Sequence, residues 1–135
     1  MISGKFSMAR ILIVDDSSLV RQRLRELLQQ HPNWDVCGEA ANGRDAIEKV
    51  QELNPDVIVL DFLMPGMDGL QAAREIGRVV PAVPILMFTM HMSRQLMQEA
   101  RKVGIRGAVA KSDVTRVIQG LEALLRNEQF FQLAN

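Results

Sequence analysis

One pattern constrains this chain above all others: a short apolar run followed by an amphipathic helical stretch, repeated five times. "RILIVDD" leads into "SSLVRQRLRELLQQ", where Val20, Leu24, Leu27 and Leu28 share one helical face. "WDVCGEAAN" is a weaker second run, and "GRDAIEKVQEL" is its helix, with Ala46, Ile47, Val50 and Leu53 inward. "DVIVLD" precedes "GLQAAREIGRVV", a helix expected to fray near Gly77. "VPILMFT" precedes "SRQLMQEARKV", with Leu96, Ala100 and Val103 inward. "GAVAK" precedes "DVTRVIQGLEALLR", with Val114, Val117, Ile118, Leu121 and Leu125 on one face. Asp16 or Ser17 is placed to cap the first helix, and Asn54-Pro55 to stop the second. Runs 1, 3 and 4 are apolar without alternation, as strands covered on both faces are. The order predicts an α/β fold: a five-stranded parallel sheet with helices on both faces.

The chain has 135 residues, which suits one domain. Apolar residues make up 47% of it, enough for a core. Sixteen basic residues balance sixteen acidic ones, so no net charge favours nucleic acid or an anionic membrane, and direct binding to either is not expected. Cys37 is the one cysteine, which excludes an intrachain disulfide and fits a reducing compartment. No apolar stretch approaches the roughly 20 residues of a membrane span. The start, "MISGKFSMAR", lacks the apolar centre of a signal peptide. A cytoplasmic location is therefore expected. Residues 1–8 read as a leader, with Met8 an alternative start, residues 9–126 as the domain, and residues 127–135 as a tail. In that tail Phe130 and Phe131 either pack back on the domain or mark where a longer chain was cut.

The residues that end the apolar runs carry the chemistry. The first run ends on Asp15 and Asp16, the third on Asp61, the fourth on Thr89 and the fifth on Lys111. Ligands of open parallel sheets bind beyond the carboxyl ends of the strands. Taken singly, Asp16 reads as a helix cap, Asp61 as a strand-end acid, Thr89 as a strand residue and Lys111 as a solvated lysine. Taken together, they form a set that one sheet edge would gather. Three crowded carboxylates repel one another unless a cation sits among them. Hard oxygens at adjacent strand ends suit Mg²⁺ with phosphate oxygens. A cation, the Lys111 ammonium and the Thr89 hydroxyl together suit the three oxygens of a phosphoryl group, with an aspartate as nucleophile.

The motifs "ILIVDD", "GEAANGRDAIE", "PDVIVLDFLMPGMDG", "VPILMFT" and "GAVAK" resemble those of the receiver domain of bacterial two-component response regulators. The resemblance covers residues 9–126. It implies a flavodoxin-like, doubly wound sheet in the order 2-1-3-4-5 with five helices. It implies Asp61 as phosphoacceptor, with Asp16 and Asp61 as Mg²⁺ ligands, the Leu63 carbonyl as a third, and Asp15 acting through water. It implies Thr89 and Lys111 on phosphoryl oxygens, and phosphohistidine on a sensor histidine kinase or phosphotransfer protein as the donor. Such domains are switches rather than metabolic enzymes, and homodimers form on phosphorylation in many of them.

Three positions depart from the family pattern. Ala108 stands where an aromatic residue is usual, so an inward swing of that ring cannot report phosphorylation here. Met90 follows Thr89 where a small residue is usual, which suggests restricted access to the phosphoryl pocket and slow exchange. Ser112 follows Lys111 where proline is usual, and Ser112 or Asp113 is placed to cap the last helix. Leu63 and His91 hold positions that tune hydrolysis in the family.

Output separates the functional readings. A stand-alone receiver would bind a partner, not identified by the sequence, through the face of the fourth helix, fifth strand and fifth helix. Met90, Met92 and Met97 lie near that face, as adaptable surface or as core. "GEAANGRDAIE" and "GIRGAVAKSD" are similar to receivers that precede a helix-turn-helix, which makes an isolated receiver of a DNA-binding regulator the alternative. A receiver-fold binding module that never takes phosphate is another. A flavodoxin would need a glycine-rich phosphate loop in place of "DDSSLV". An aspartate-nucleophile phosphohydrolase would need D-x-D-x-T in place of "DFLMP".

Overall fold

The computed structural model describes residues 8–131. The proposed leader residues 1–7 and tail residues 132–135 lie outside the described residues. The elements run β1 (Ala9–Val14), α1 (Ser18–Gln29), β2 (Trp34–Ala40), α2 (Gly43–Leu53), β3 (Val57–Leu60), α3 (Gly69–Val79), β4 (Ile85–Thr89), α4 (Arg94–Lys102), β5 (Gly107–Ala110), α5 (Arg116–Leu125) and β6 (Phe130–Phe131). All pairings are parallel, in the order β2-β1-β3-β4-β5-β6. The expected five-stranded sheet thus carries a sixth, two-residue strand from the C-terminal segment. The switch in strand order falls between β1 and β3, where a doubly wound sheet opens its ligand crevice.

Strand side chains alternate between two cores, because successive residues point to opposite faces. Leu12, Val14, Ile58, Leu60, Met87 and Ala108 face one core, roofed by α2, α3 and α4. Ile11, Ile13, Val57, Val59, Leu86, Phe88 and Val109 face the other, roofed by α1 and α5. Both faces being covered accounts for the unbroken apolar runs in β1, β3 and β4.

Local chemistry sets the helix ends. Ser17, not Asp16, caps α1, its side chain accepting from the Val20 N–H. Asn42 caps α2, and Asn54 ends it in the left-handed region at φ 50°. Asp68 and Gln71 form a reciprocal capping box at the start of α3. Two expectations about helices need correction. Helix α3 runs through Gly77 to Val79 without fraying there, because Ala73 and Ile76 stay buried beneath it. Helix α5 starts at Arg116, and neither Ser112 nor Asp113 is its N-cap. The Asp113 carboxylate is held in the preceding turn by Thr115 Oγ1 and Arg116 Nε, at 2.7 and 2.8 Å. Val114, ahead of the helix, is exposed rather than inward.

Candidate functional site

The strand ends are zipped one residue beyond their ladders. The Asp15 N–H donates to the Ala40 carbonyl at 3.0 Å, and Asp61 N–H to the Val14 carbonyl at 2.9 Å. The Lys111 N–H donates to the Thr89 carbonyl at 2.8 Å. These bonds fix the backbone under each polar side chain. Asp15, Asp61 and Thr89 are the buried polar residues among those described, at 1%, 5% and 0% exposure. Burying carboxylates is unfavourable unless they are paired, and a cation is present. Lys111 Nζ lies 2.8 Å from Asp15 Oδ2 and 3.3 Å from Asp61 Oδ2.

The remaining contacts define how each group is held. Asp15 Oδ1 accepts from the Ser17 N–H at 2.9 Å, so both of its oxygens are engaged. Asp16 is exposed. One carboxylate oxygen from each of Asp15, Asp16 and Asp61 lies within 4.8 Å of the others. Thr89 Oγ1 accepts from the His91 N–H at 3.1 Å, an arrangement that leaves the hydroxyl proton for donation. Leu63, two residues past Asp61, is an exposed loop residue. Met90 is 76% exposed, so its side chain lies mostly in solvent, whereas Met97 is buried and Met92 packs against the core.

Charge follows the geometry. Burial pushes the Asp61 carboxyl above its ordinary range, and the neighbouring Asp15 charge pushes it further; the Lys111 ammonium and the Phe62 N–H offset this only in part. Burial works against the Lys111 ammonium, but the hydrogen bond and charge of Asp15, then those of Asp61, outweigh it and raise Lys111. The lysine is thus firmly charged while Asp61 is held under electrostatic stress. That stress is what a divalent cation would relieve. The donor set fits Mg²⁺: hard carboxylate oxygens from two strand ends, Asp16 among them exposed.

Sequence reasoning passed over Arg21. Its Nη1 donates to the Asp15 carbonyl at 2.7 Å, and its Nε pairs with Glu39 Oε1 at 2.9 Å. Arg25 Nε holds the other Glu39 oxygen at 2.7 Å. The acidic loop is therefore braced from α1 and β2. The only sequence signal was Arg21 and Arg25 one helical turn apart. A separate groove of about 1090 Å³, lined by Asn42, Arg44, Met67, Gln71 and Arg74 among others, takes no wall from the strand-end acids.

The sequence profile of the response regulator receiver domain matches residues 11–130. The chain belongs to this family. The chain is similar to the chemotaxis protein CheY of Thermotoga maritima, with 35% identity over 83% of this chain and 93% of that protein. It also matches the protein-glutamate methylesterase/protein-glutamine glutaminase of Alkalilimnicola ehrlichii, 54% identical over 59% of this chain. That match takes in 20% of the methylesterase, so the chain spans a small part of that relative. Among solved structures, a LuxR-family two-component response regulator from Aurantimonas sp. SI85-9A1 superposes with a TM-score of 0.89 at 37% identity, covering 92% of this chain and 89% of that one. The flavodoxin-like receiver fold follows from sheet order and comparison alike. No described helix is long and apolar enough to cross a membrane.

Proposed function

We propose that this receiver is a phosphorylation-dependent signalling switch in which Asp61 accepts a phosphoryl group from phosphohistidine on a sensor kinase or phosphotransfer protein. The observation that carries the reading is the Lys111 ammonium set between Asp15 and Asp61 at one sheet edge, beside Thr89. An Asp61 carboxylate oxygen attacks phosphorus, the P–N bond to histidine breaks, and the imidazole leaves with a proton from solvent. Lys111 shifts from the aspartates toward one phosphoryl oxygen, and the Thr89 hydroxyl donates to another. Asp16, Asp61 and the Leu63 carbonyl would hold Mg²⁺ directly, with Asp15 acting through water. When bound, the ion would supply charge neutralisation for the phosphoryl group. Hydrolysis by water resets the domain.

Output on this reading is a change in the face formed by α4, β5 and α5, which alters binding of a partner protein in the cytoplasm. With Ala108 buried in β5, an aromatic swing from that position plays no part. A second reading is favoured by one observation, the small share of the methylesterase relative that the chain spans. There the same switch governs an attached output domain, whether catalytic or DNA-binding.

The test is intact mass after incubation with acetyl phosphate and Mg²⁺, beside Asp61→Asn and a chelator control. Gain of one phosphoryl group, absent in both controls, supports the switch. No gain from acetyl phosphate or from a phosphohistidine donor would leave a receiver-fold binding module.

A further inference from the structure

The C-terminal strand sits in a place cut for it. Phe130 lies opposite Gly107 and Phe131 opposite Ala108, and the Phe130 N–H donates to the Arg106 carbonyl at 3.0 Å. A β-carbon at Gly107 would stand 2.8 Å from the Phe130 carbonyl oxygen, closer than real β-carbons approach. One at Gly120 of α5 would meet the Leu86 methyls at 3.0 and 3.1 Å and Phe130 Cδ2 at 3.2 Å. The two rings divide between the two cores: Phe130 packs on the α1–α5 side, Phe131 on the α2–α4 side. The Arg101 guanidinium carbon lies 4.2 Å from the Phe131 ring centroid, a cation–π contact from α4.

The same strand is lightly held. It is two residues long, and both rings are only half-buried. Residues 126–129 join it to α5 by a turn in which Asn127 takes φ 65°, a left-handed conformation that asparagine tolerates. Terminal elements of this kind open without the core opening. What remains is a sheet edge with free ladder groups, a cleared backbone track and a guanidinium over an aromatic slot. Main-chain pairing gives such an edge affinity, and pockets for alternate side chains give it specificity.

We propose that the β5 edge, with Arg101, Gly107, Ala108 and Gly120, is a docking site for an extended segment bearing two adjacent aromatic residues. Phe130 and Phe131 occupy it in cis, and a partner protein presenting an aromatic strand of that kind takes it when β6 leaves. The tethered strand competes at an effective concentration of order millimolar, so the site answers weakly until the tether is disabled. The inference stands apart from phosphoryl uptake at Asp61.

The test uses the full chain with Phe130→Ser and Phe131→Ser together, its fold checked by circular dichroism and urea unfolding. The probe is a labelled peptide with the sequence of residues 127–135, titrated by fluorescence anisotropy. Expected is binding to the double variant at least about tenfold tighter than to the parent chain, lost for a peptide with both phenylalanines replaced by serine. Adding Arg101→Gln to the double variant, which removes the cation–π contact from an exposed position, should weaken binding. Equal affinity for variant and parent, or equal binding of the serine peptide, overturns the proposal. If the double variant does not fold, hydrogen exchange on the parent chain decides: the Phe130 amide should exchange at least about 100-fold faster than Val109, and equal rates overturn it.

Discussion

Lys111 is committed to Asp15 before Asp61: its ammonium lies 2.8 Å from the first, and the second is the looser partner at 3.3 Å. Burial raises the Asp61 carboxyl first and the Asp15 charge second, and the inequality explains why the lysine offsets this only in part. The cation that would hold its proton off is spent mostly on the neighbouring acid.

Removing the lysine tests that division. Lys111→Met leaves two buried carboxylates without their cation, and should lower stability by about 2 kcal/mol at neutral pH. In acid the Asp61 carboxyl, already raised, takes up a proton, and the loss should shrink. Urea midpoints at the two pH values measure both, and a loss of equal size in acid would contradict the account.

Asp61→Asn should act in the opposite sense. The folded-state pKa of Asp61 is raised, so its native carboxyl keeps a proton that the unfolded chain has already lost. Its contribution to stability is present in acid and lost as pH rises from the ordinary aspartate range through the raised value. The amide never ionises. The variant should therefore be more stable than the parent by about 1 kcal/mol at neutral pH, with no gain in strong acid. Thermal melts without divalent cation would show this.

Glu39 gives the reverse pH dependence. Burial pushes its carboxyl up, but the hydrogen bonds and charges of Arg25 and Arg21 outweigh this and hold it below the ordinary range. The stability it adds is present above the ordinary glutamate range and lost as pH falls through the depressed value. Glu39→Gln should lose up to about 1 kcal/mol at neutral pH, since the pair is partly solvent-screened. Unfolding curves of variant and parent should converge in strong acid.

Gly69→Ala should damage both fold and chemistry. A β-carbon there would collide with the Asp61 carbonyl oxygen and stand 2.8 Å from Phe62 Cα. Both are backbone atoms with little room to yield. A loss of about 2 kcal/mol is expected. Acetyl phosphate labelling of the folded variant should be slower than in the parent, because the collision displaces the strand end that carries Asp61.

Much of this architecture was legible in the residues. Helix α2 occupies the stretch expected for it, since Asn42 and Asn54-Pro55 are local signals that tertiary packing had no reason to overrule. The gathering of Asp15, Asp16, Asp61, Thr89 and Lys111 at one edge followed from the strand-helix order alone. What escaped depends on distance between residues far apart in sequence. The preference of Lys111 for Asp15 and the brace from Arg21 to the Asp15 carbonyl arise from register, which no local pattern encodes. The late start of α5 escaped because Asp113 serves the turn before the helix instead of capping it. Phe130 and Phe131 pack back on the domain, one of the two outcomes expected of them, but the strand they form escaped because two phenylalanines make no periodicity.

The neighbouring positions of β1 and β3 bear on how the protein is made. Asp15 and Asp61 meet because two strands from distant parts of the chain pair side by side, and Lys111 arrives only with β5. Asp15 and Asp61 are translated before Lys111, and the three groups meet only once β5 has paired with β4. A chain folded only as far as β3 would hold two buried carboxylates without the ammonium that pairs with them, so closing the sheet at β5 also settles the charge at its edge.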